Sequence, residues 1–308
     1  MKRLIGGIAV AVSMLAVPAA AHASTNASHW GSPFGSASYY LALGDSLSVG
    51  VQPTLAGVDE PTGVGYPNQL YDKIRFSFPD LRLDQLGCSG ETTATLLNGG
   101  ICSYSGDQRT SETGDTGNQA AAALAFIAAH KGHVPLITLD IGANDLNPCI
   151  AVGTISGIEA CLPGTLATIS KNLATLLGEL RTADPGATIV GMNYYDPELA
   201  EWLTGTAGQA FATESVELSA VFNNTLETVY QAYKVPVADV ASAFDTSNMT
   251  GQVRLPHLGT LPKNVAEVCE LTWECVAPPQ GPNEHCNVRG YSVIAYAFLG
   301  ELPLRFQF

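Results

Sequence analysis

Short apolar runs rich in β-branched or aromatic residues alternate along this chain with longer stretches of helical periodicity. YYLAL (39–43), LRLDQL (81–86), VPLITLDIG (134–142), ATIVGMNYY (187–195) and VPVADV (235–240) read as strands. Between them, YPNQLYDKI (66–74) is helix-like and AAAALAFIAAH (120–130) is a strong helix former. In 165–182, Leu166, Ile169, Leu173, Leu176, Leu177 and Leu180 recur at spacings of three and four, one face of a helix that Asp184-Pro185-Gly186 stops. Phe211, Val216, Leu218, Phe222, Leu226 and Tyr230 mark a second long helix, and RGYSVIAYAFLGEL (289–302) a closing one. This alternation predicts an α/β domain with a parallel sheet and right-handed crossovers. Pro236 has no amide hydrogen to donate, which predicts the fifth strand at a sheet edge, as in the order 2-1-3-4-5. Ligands in such a sheet bind beyond the carboxyl ends of the strands, at the switch between the first and third. Here those two strands run into GDS and GAND.

The first residues, Met1-Lys2-Arg3, precede an apolar and small-residue stretch from Leu4 to Ala21, and Ala21-His22-Ala23 has the small-x-small form of a cleavage site. Residues 1–23 are therefore expected to be a secretory signal peptide, and the protein to be exported. The stretch is short for a spanning helix, so no stable membrane span is expected. Residues 24–37 read as a flexible tail, and 38–308 as one domain with long, disulfide-stapled loops. Loss of Lys2 and Arg3 takes the formal charge from −14 to −16. So acidic a surface repels phosphate backbones and argues against nucleic acid as a partner. With 46% hydrophobic and 14% charged residues, the chain can bury a core of ordinary size, and it is expected to act as a monomer.

Seven cysteines in an exported chain point to disulfides. No C-x-x-C pair occurs and the histidines are scattered, so neither a metal nor an organic cofactor is expected. The short-loop pairings are Cys88 with Cys102, Cys149 with Cys161, and Cys269 with Cys275, which leaves Cys286 beside His285. Segments 49–65, 98–118, 147–164, 196–208 and 245–288 read as long loops, the rim of a substrate cleft.

Chemistry concentrates in four stretches: GDSLSVG (44–50), GCSGETT (87–93), IGANDL (141–146) and GPNEHCNVRGY (281–291). Each has an ordinary reading, Ser46 as a helix N-cap and Gly90 as a turn glycine among them. Together they hold what acyl transfer needs. Ser46 is a hydroxyl nucleophile, and His285 is a base that titrates near neutral pH. The amides of Ser46 and Gly90 and the carboxamide of Asn144 are donors for an oxyanion. Asp45 and Asp145 are assigned to holding turns, and His130 and His133 to the surface at the end of an Ala-rich helix. No G-x-S-x-G occurs, which disfavours the α/β-hydrolase nucleophile elbow.

These four stretches, in this order, resemble the signature blocks of the SGNH, or GDSL, hydrolases, and most closely the secreted, disulfide-bearing bacterial esterases and lipases. The resemblance spans about residues 38 to 300. It implies a flavodoxin-like three-layer α/β/α sandwich around a central five-stranded parallel sheet. It also implies Ser46 as nucleophile, His285 as base, and Ser46, Gly90 and Asn144 as the oxyanion hole. The last block departs from the family's pattern. Where the family has an Asp two or three residues before the histidine, this chain has Asn283 and Pro282, so the group that orients His285 is either Asn283 or a backbone carbonyl. The family's proline after the histidine is Cys286, a free thiol or a partner of Cys275 or Cys269.

The expected function is a secreted serine esterase or lipase, with a small-molecule ester or lipid as substrate. Its alternatives are a carbohydrate O-deacetylase, a phospholipase, or a catalytically silent binding module that kept the fold.

Overall fold

The computed structural model describes residues 37–306. Residues 1–23, expected to be a signal peptide, and residues 24–36 of the expected tail lie outside them.

Five strands form the central sheet: β1 (Ser38–Gly44), β2 (Leu81–Gln85), β3 (Leu136–Asp140), β4 (Thr188–Met192) and β5 (Val237–Ala238). All neighbours are parallel, in the order β2-β1-β3-β4-β5. β1 and β3 lie at the centre, and β3 is buried at every position, as strands covered on both faces must be. β2 is an edge strand, which accounts for its polar alternation. β5 occupies the opposite edge, directly after Pro236.

The longer helices are α1 (Tyr66–Ile74), α2 (Thr93–Asn98), α3 (Gln119–Ala129), α4 (Ile155–Ala183), α5 (Thr206–Ala232), α6 (Lys263–Leu271) and α7 (Val288–Glu301). α1 packs on α7, with the Tyr66 and Phe298 rings stacked at 4.6 Å. α2, α3, α4 and α5 pack on one another as a second group. Strand, helix and loop side chains join in one large core, while Leu199, Leu255, Leu261, Val265 and Val268 make a smaller one.

Several segments that read as loops hold regular structure. α4 begins at Ile155, although Pro163-Gly164 looks like a breaker. Ile158 and Leu162 extend its buried stripe toward the N-terminus, Thr154 caps it by accepting the Gly157 amide, and Cys161 ties it to Cys149. Burial thus outweighs the loss of one helical hydrogen bond at proline. Residues 197–204 form a 3₁₀ helix, and 245–288 contains a hairpin (Gln252–Leu255 with Gly259–Pro262) followed by α6. Residues 98–118 hold the hairpin of Ser103–Ser105 with Gln108–Ser111, and 49–65 the short pair of Gln52–Pro53 with Asp59–Glu60. His130 is half-buried rather than on the surface, because its ring packs at 4.1 Å from Tyr39 and 4.5 Å from Phe126.

The three expected disulfides are present: Cys88–Cys102, Cys149–Cys161 and Cys269–Cys275. Cys286 is a buried free thiol. Among the described residues no helix is long and apolar enough to cross a membrane.

Candidate active site

Ser46 lies just beyond the end of β1, at the switch between β1 and β3. Gly44 allows the two strands to close there: at φ +140°, a Cβ on it would lie 2.1 Å from the Asp140 carbonyl oxygen. The first residue of α3 clamps the same glycine, since Gln119 accepts its amide at 2.6 Å and donates to its carbonyl at 2.9 Å. No helix follows Ser46. Residues 46–50 are a run of turns, and it is Asp45 that accepts the Leu47 amide, at 3.0 Å, so Ser46 is not an N-cap. Among the described residues its hydroxyl makes no internal hydrogen bond, and it lines a cavity of about 410 Å³.

Asp45 holds the turn, as expected. Its carboxylate also accepts the Tyr194 hydroxyl at 3.0 Å, and Asp140 accepts that of Tyr66 at 2.6 Å. Burial pushes Asp45 up to about 6 and Asp140 well above the ordinary carboxylate range.

Asn144 opens the 3₁₀ turn after β3 and faces the same cavity. Its amide donates to the Glu91 carbonyl at 2.9 Å, and its oxygen accepts from Asn147 at 3.3 Å. The carboxamide is therefore held with its second N–H unspent. Asp145 ties this turn to α2, accepting the Thr93 amide at 2.8 Å and hydroxyl at 2.6 Å. Gly90 occupies an exposed left-handed turn, φ +79°, immediately before Glu91. The cavity lining includes Ser46, Asn144 and His285 but not Gly90, which stands outside it.

His285 arrives on the loop before α7. The loop is fastened by the Trp273 amide donating to the His285 carbonyl at 3.0 Å and by the Tyr195 hydroxyl donating to the Glu284 carbonyl at 2.6 Å. Asn287 caps α7 through the Arg289 and Gly290 amides. Ser46 and His285 are both nearly enclosed, at 8% and 7% exposure, so the cavity is their main opening. Burial lowers the His285 imidazole below the usual histidine range, and the Glu284 and Asp59 carboxylates partly pull it back up.

Asn283 settles the state of that ring. Its side-chain oxygen accepts the His285 backbone amide at 3.0 Å and lies 2.8 Å from Nδ1. The backbone N–H demands an acceptor, so the oxygen, not the NH₂ group, faces the histidine. Nδ1 then carries the proton, and Nε2 keeps its lone pair.

Sequence reasoning missed three contributors. Tyr194 and Tyr195, just past β4, hold Asp45 and the histidine loop, and only the β4 register could have pointed to them. Asp59 accepts the Asn283 NH₂ group at 2.8 Å, and its other oxygen lies 3.6 Å from His285 Nδ1. Nothing local in the sequence marks it.

Around the cavity, Leu146, Ile150, Ile158, Leu162, Phe211 and Leu218 form an apolar wall between the N-terminal halves of α4 and α5. A second cavity of about 380 Å³ also reaches His285 and is lined by Glu198, Glu201, Glu274 and Glu284. Burial and these neighbouring carboxylates raise Glu198 and Glu274 to about 7. Cys286 is fully buried, and burial pushes its thiol up to about 12, so it holds no thiolate at neutral pH.

The sequence matches the GDSL-like lipase/acylhydrolase family over residues 42–291. The chain belongs to that family. Its fold is shared by the phospholipase A1 of Streptomyces albidoflavus NA297, at 17% identity and TM-score 0.56, covering 87% of this chain and 100% of that one. The extracellular lipase of Streptomyces rimosus aligns at 16% identity and TM-score 0.56, over 86% of this chain and 100% of the other. An acetylxylan esterase of Geobacillus stearothermophilus aligns at 17% identity and TM-score 0.50, over 87% and 94%. No curated protein sequence matches the chain.

Proposed function

We propose that this GDSL-family hydrolase is a secreted serine esterase of lipid or medium-chain acyl esters. The reading rests above all on Asn283, whose oxygen leaves His285 Nε2 as an unprotonated base in the cavity shared with Ser46 and Asn144. Ser46 Oγ attacks the ester carbonyl carbon as its proton passes to Nε2, and substrate binding brings hydroxyl and imidazole into contact. The carbonyl oxygen becomes an oxyanion, held by the unspent N–H of Asn144 and by the amide of Ser46, and by the Gly90 amide once the bound substrate draws its turn to the cavity. Neither of these amides makes an internal hydrogen bond among the described residues. The tetrahedral intermediate collapses as the imidazolium returns its proton to the departing alkoxide. Water, deprotonated by the same nitrogen, then releases the acid and restores Ser46.

The apolar wall supports an acyl chain over an acetyl group, which weighs against a sugar deacetylase. The carboxylates of the second cavity would repel a phosphodiester, which weighs against a phospholipase. The leader-like N-terminal stretch and three disulfides support export of one domain over 38–308. Hydrolysis of p-nitrophenyl esters from acetyl to palmitoyl, by wild type and Ser46→Ala, tests the reading. Turnover of mid-length esters that vanishes in the variant is expected. Turnover surviving Ser46→Ala would refute the nucleophile, and none in wild type would favour the silent module.

A further inference from the structure

The family's acid is missing ahead of His285, yet a carboxylate stands behind the residue that replaces it. We propose that Asp59, from the opposite end of the chain, supplies the negative charge for His285 through Asn283, as a positioning and charge-stabilising residue of the hydrolysis inferred above.

Asp59 begins the second strand of the small hairpin in 49–65. One oxygen accepts from Asn283 Nδ2 at 2.8 Å, and the other stands 3.6 Å from His285 Nδ1. Asn283 thus bridges the two, donating to the carboxylate on one side and accepting Nδ1–H on the other. A charged acceptor on the amide nitrogen polarises the group and strengthens its oxygen as an acceptor. When Ser46 gives its proton to Nε2, the ring becomes an imidazolium whose positive charge faces Asn283 and, beyond it, Asp59. Only the serine proton moves, to Nε2, and none passes on to Asp59.

The two loops are interlocked. Gly57 sits at φ +76° against the 278–279 segment, where a Cβ would meet the Pro279 carbonyl oxygen at 2.1 Å. Only a glycine lets the hairpin lie this close, two residues from Asp59.

Asp59 is 40% exposed, which limits its field. Asp59→Asn, which keeps an acceptor for Asn283 but loses the charge, should therefore lower kcat/KM by about five- to tenfold. The experiment pairs this rate with an NMR titration of the His285 ring, which needs no turnover. Other charges near the ring are Glu284 beside it, Glu198, Glu201 and Glu274 across the second cavity, and Asp45 and Asp196 toward the first. All are unchanged in the variants. Without the Asp59 charge the imidazolium is less stable, so the ring should titrate at lower pH and the acid limb of kcat/KM should move down with it. Asp59→Glu should recover most of the rate. The double variant Asp59→Asn/Asn283→Asp, which moves the carboxylate onto Nδ1, should do so too.

An unmoved titration overturns the proposal, whether or not the rate falls, because a merely structural role lowers the rate without shifting the ring. A double variant as slow as Asp59→Asn also overturns it. A shifted titration alongside turnover that survives Ser46→Ala would confirm the link to His285 and refute the serine reaction instead.

Discussion

At the scale of single residues, the site depends on two carboxamides that each face two ways. Asn144 spends one N–H on Glu91 and presents the other to the cavity. Asn144→Ala should cost roughly 10²–10³ in kcat, the usual loss of one oxyanion donor, with little change in KM. Asn283 fixes the imidazole tautomer, so Asn283→Ala should lower kcat more than Asp59→Asn does, because it frees the ring as well as removing its link to the charge. Steady-state kinetics on one ester rank the three. As the proposed base, His285 must be neutral to act, and burial depresses its titration. The acid limb of kcat/KM in wild type should therefore fall below about 6.5, the ordinary histidine value.

At the scale of elements, the proposed acyl chamber is a gap between two helices that opens onto the ends of the strands. The N-terminal halves of α4 and α5 wall it, and the Cys149–Cys161 bond fastens the short helix Asn147–Ile150 to α4. Leu218→Trp, on α5, should reduce kcat/KM for decanoyl esters while sparing acetyl esters, since a short acyl group does not reach that wall. A chain-length profile that keeps its shape would place the acyl chain elsewhere. Removing the disulfide with paired serines should lower stability by about 2–5 kcal/mol, measured by denaturant unfolding. Gly57→Ala should reproduce the Asp59→Asn titration shift at His285, because it pushes the hairpin off the 278–279 segment.

At the scale of the whole molecule, buried acids and a formal charge of −14 act in the same direction. Burial raises Asp45 and Asp196 to about 6, and Glu198 and Glu274 to about 7. A folded-state value above the unfolded one means that the native protein binds more protons over that interval. Its stability is then greatest below pH 4 as far as these groups go, and is lost as pH rises through 6 to 7. Mutual repulsion among carboxylates adds to the loss. The thermal midpoint should therefore be higher at pH 5 than at pH 8, and a midpoint that climbs over this range would contradict the burial of these acids. The proposed activity should run the other way, since its base, His285, loses its proton as pH rises.

The sequence alone determined the strand–helix alternation, the edge position of the strand after Pro236, the three cysteine pairs, and Ser46, Asn144 and His285 as residues meeting at one site. These follow from local chemistry: hydrophobic period, a missing amide hydrogen, short loops between cysteines, and polar groups placed at strand ends. Tertiary structure decided what depends on distant partners. Burial of Ile158 and Leu162 carried α4 through Pro163, which local propensity reads as a stop. The same packing set the apolar gap between α4 and α5. It also brought Asp59 to Asn283 across 224 residues of chain. No periodicity or motif encodes such a meeting, because a side chain's neighbours along the sequence say nothing of which loop will fold against it.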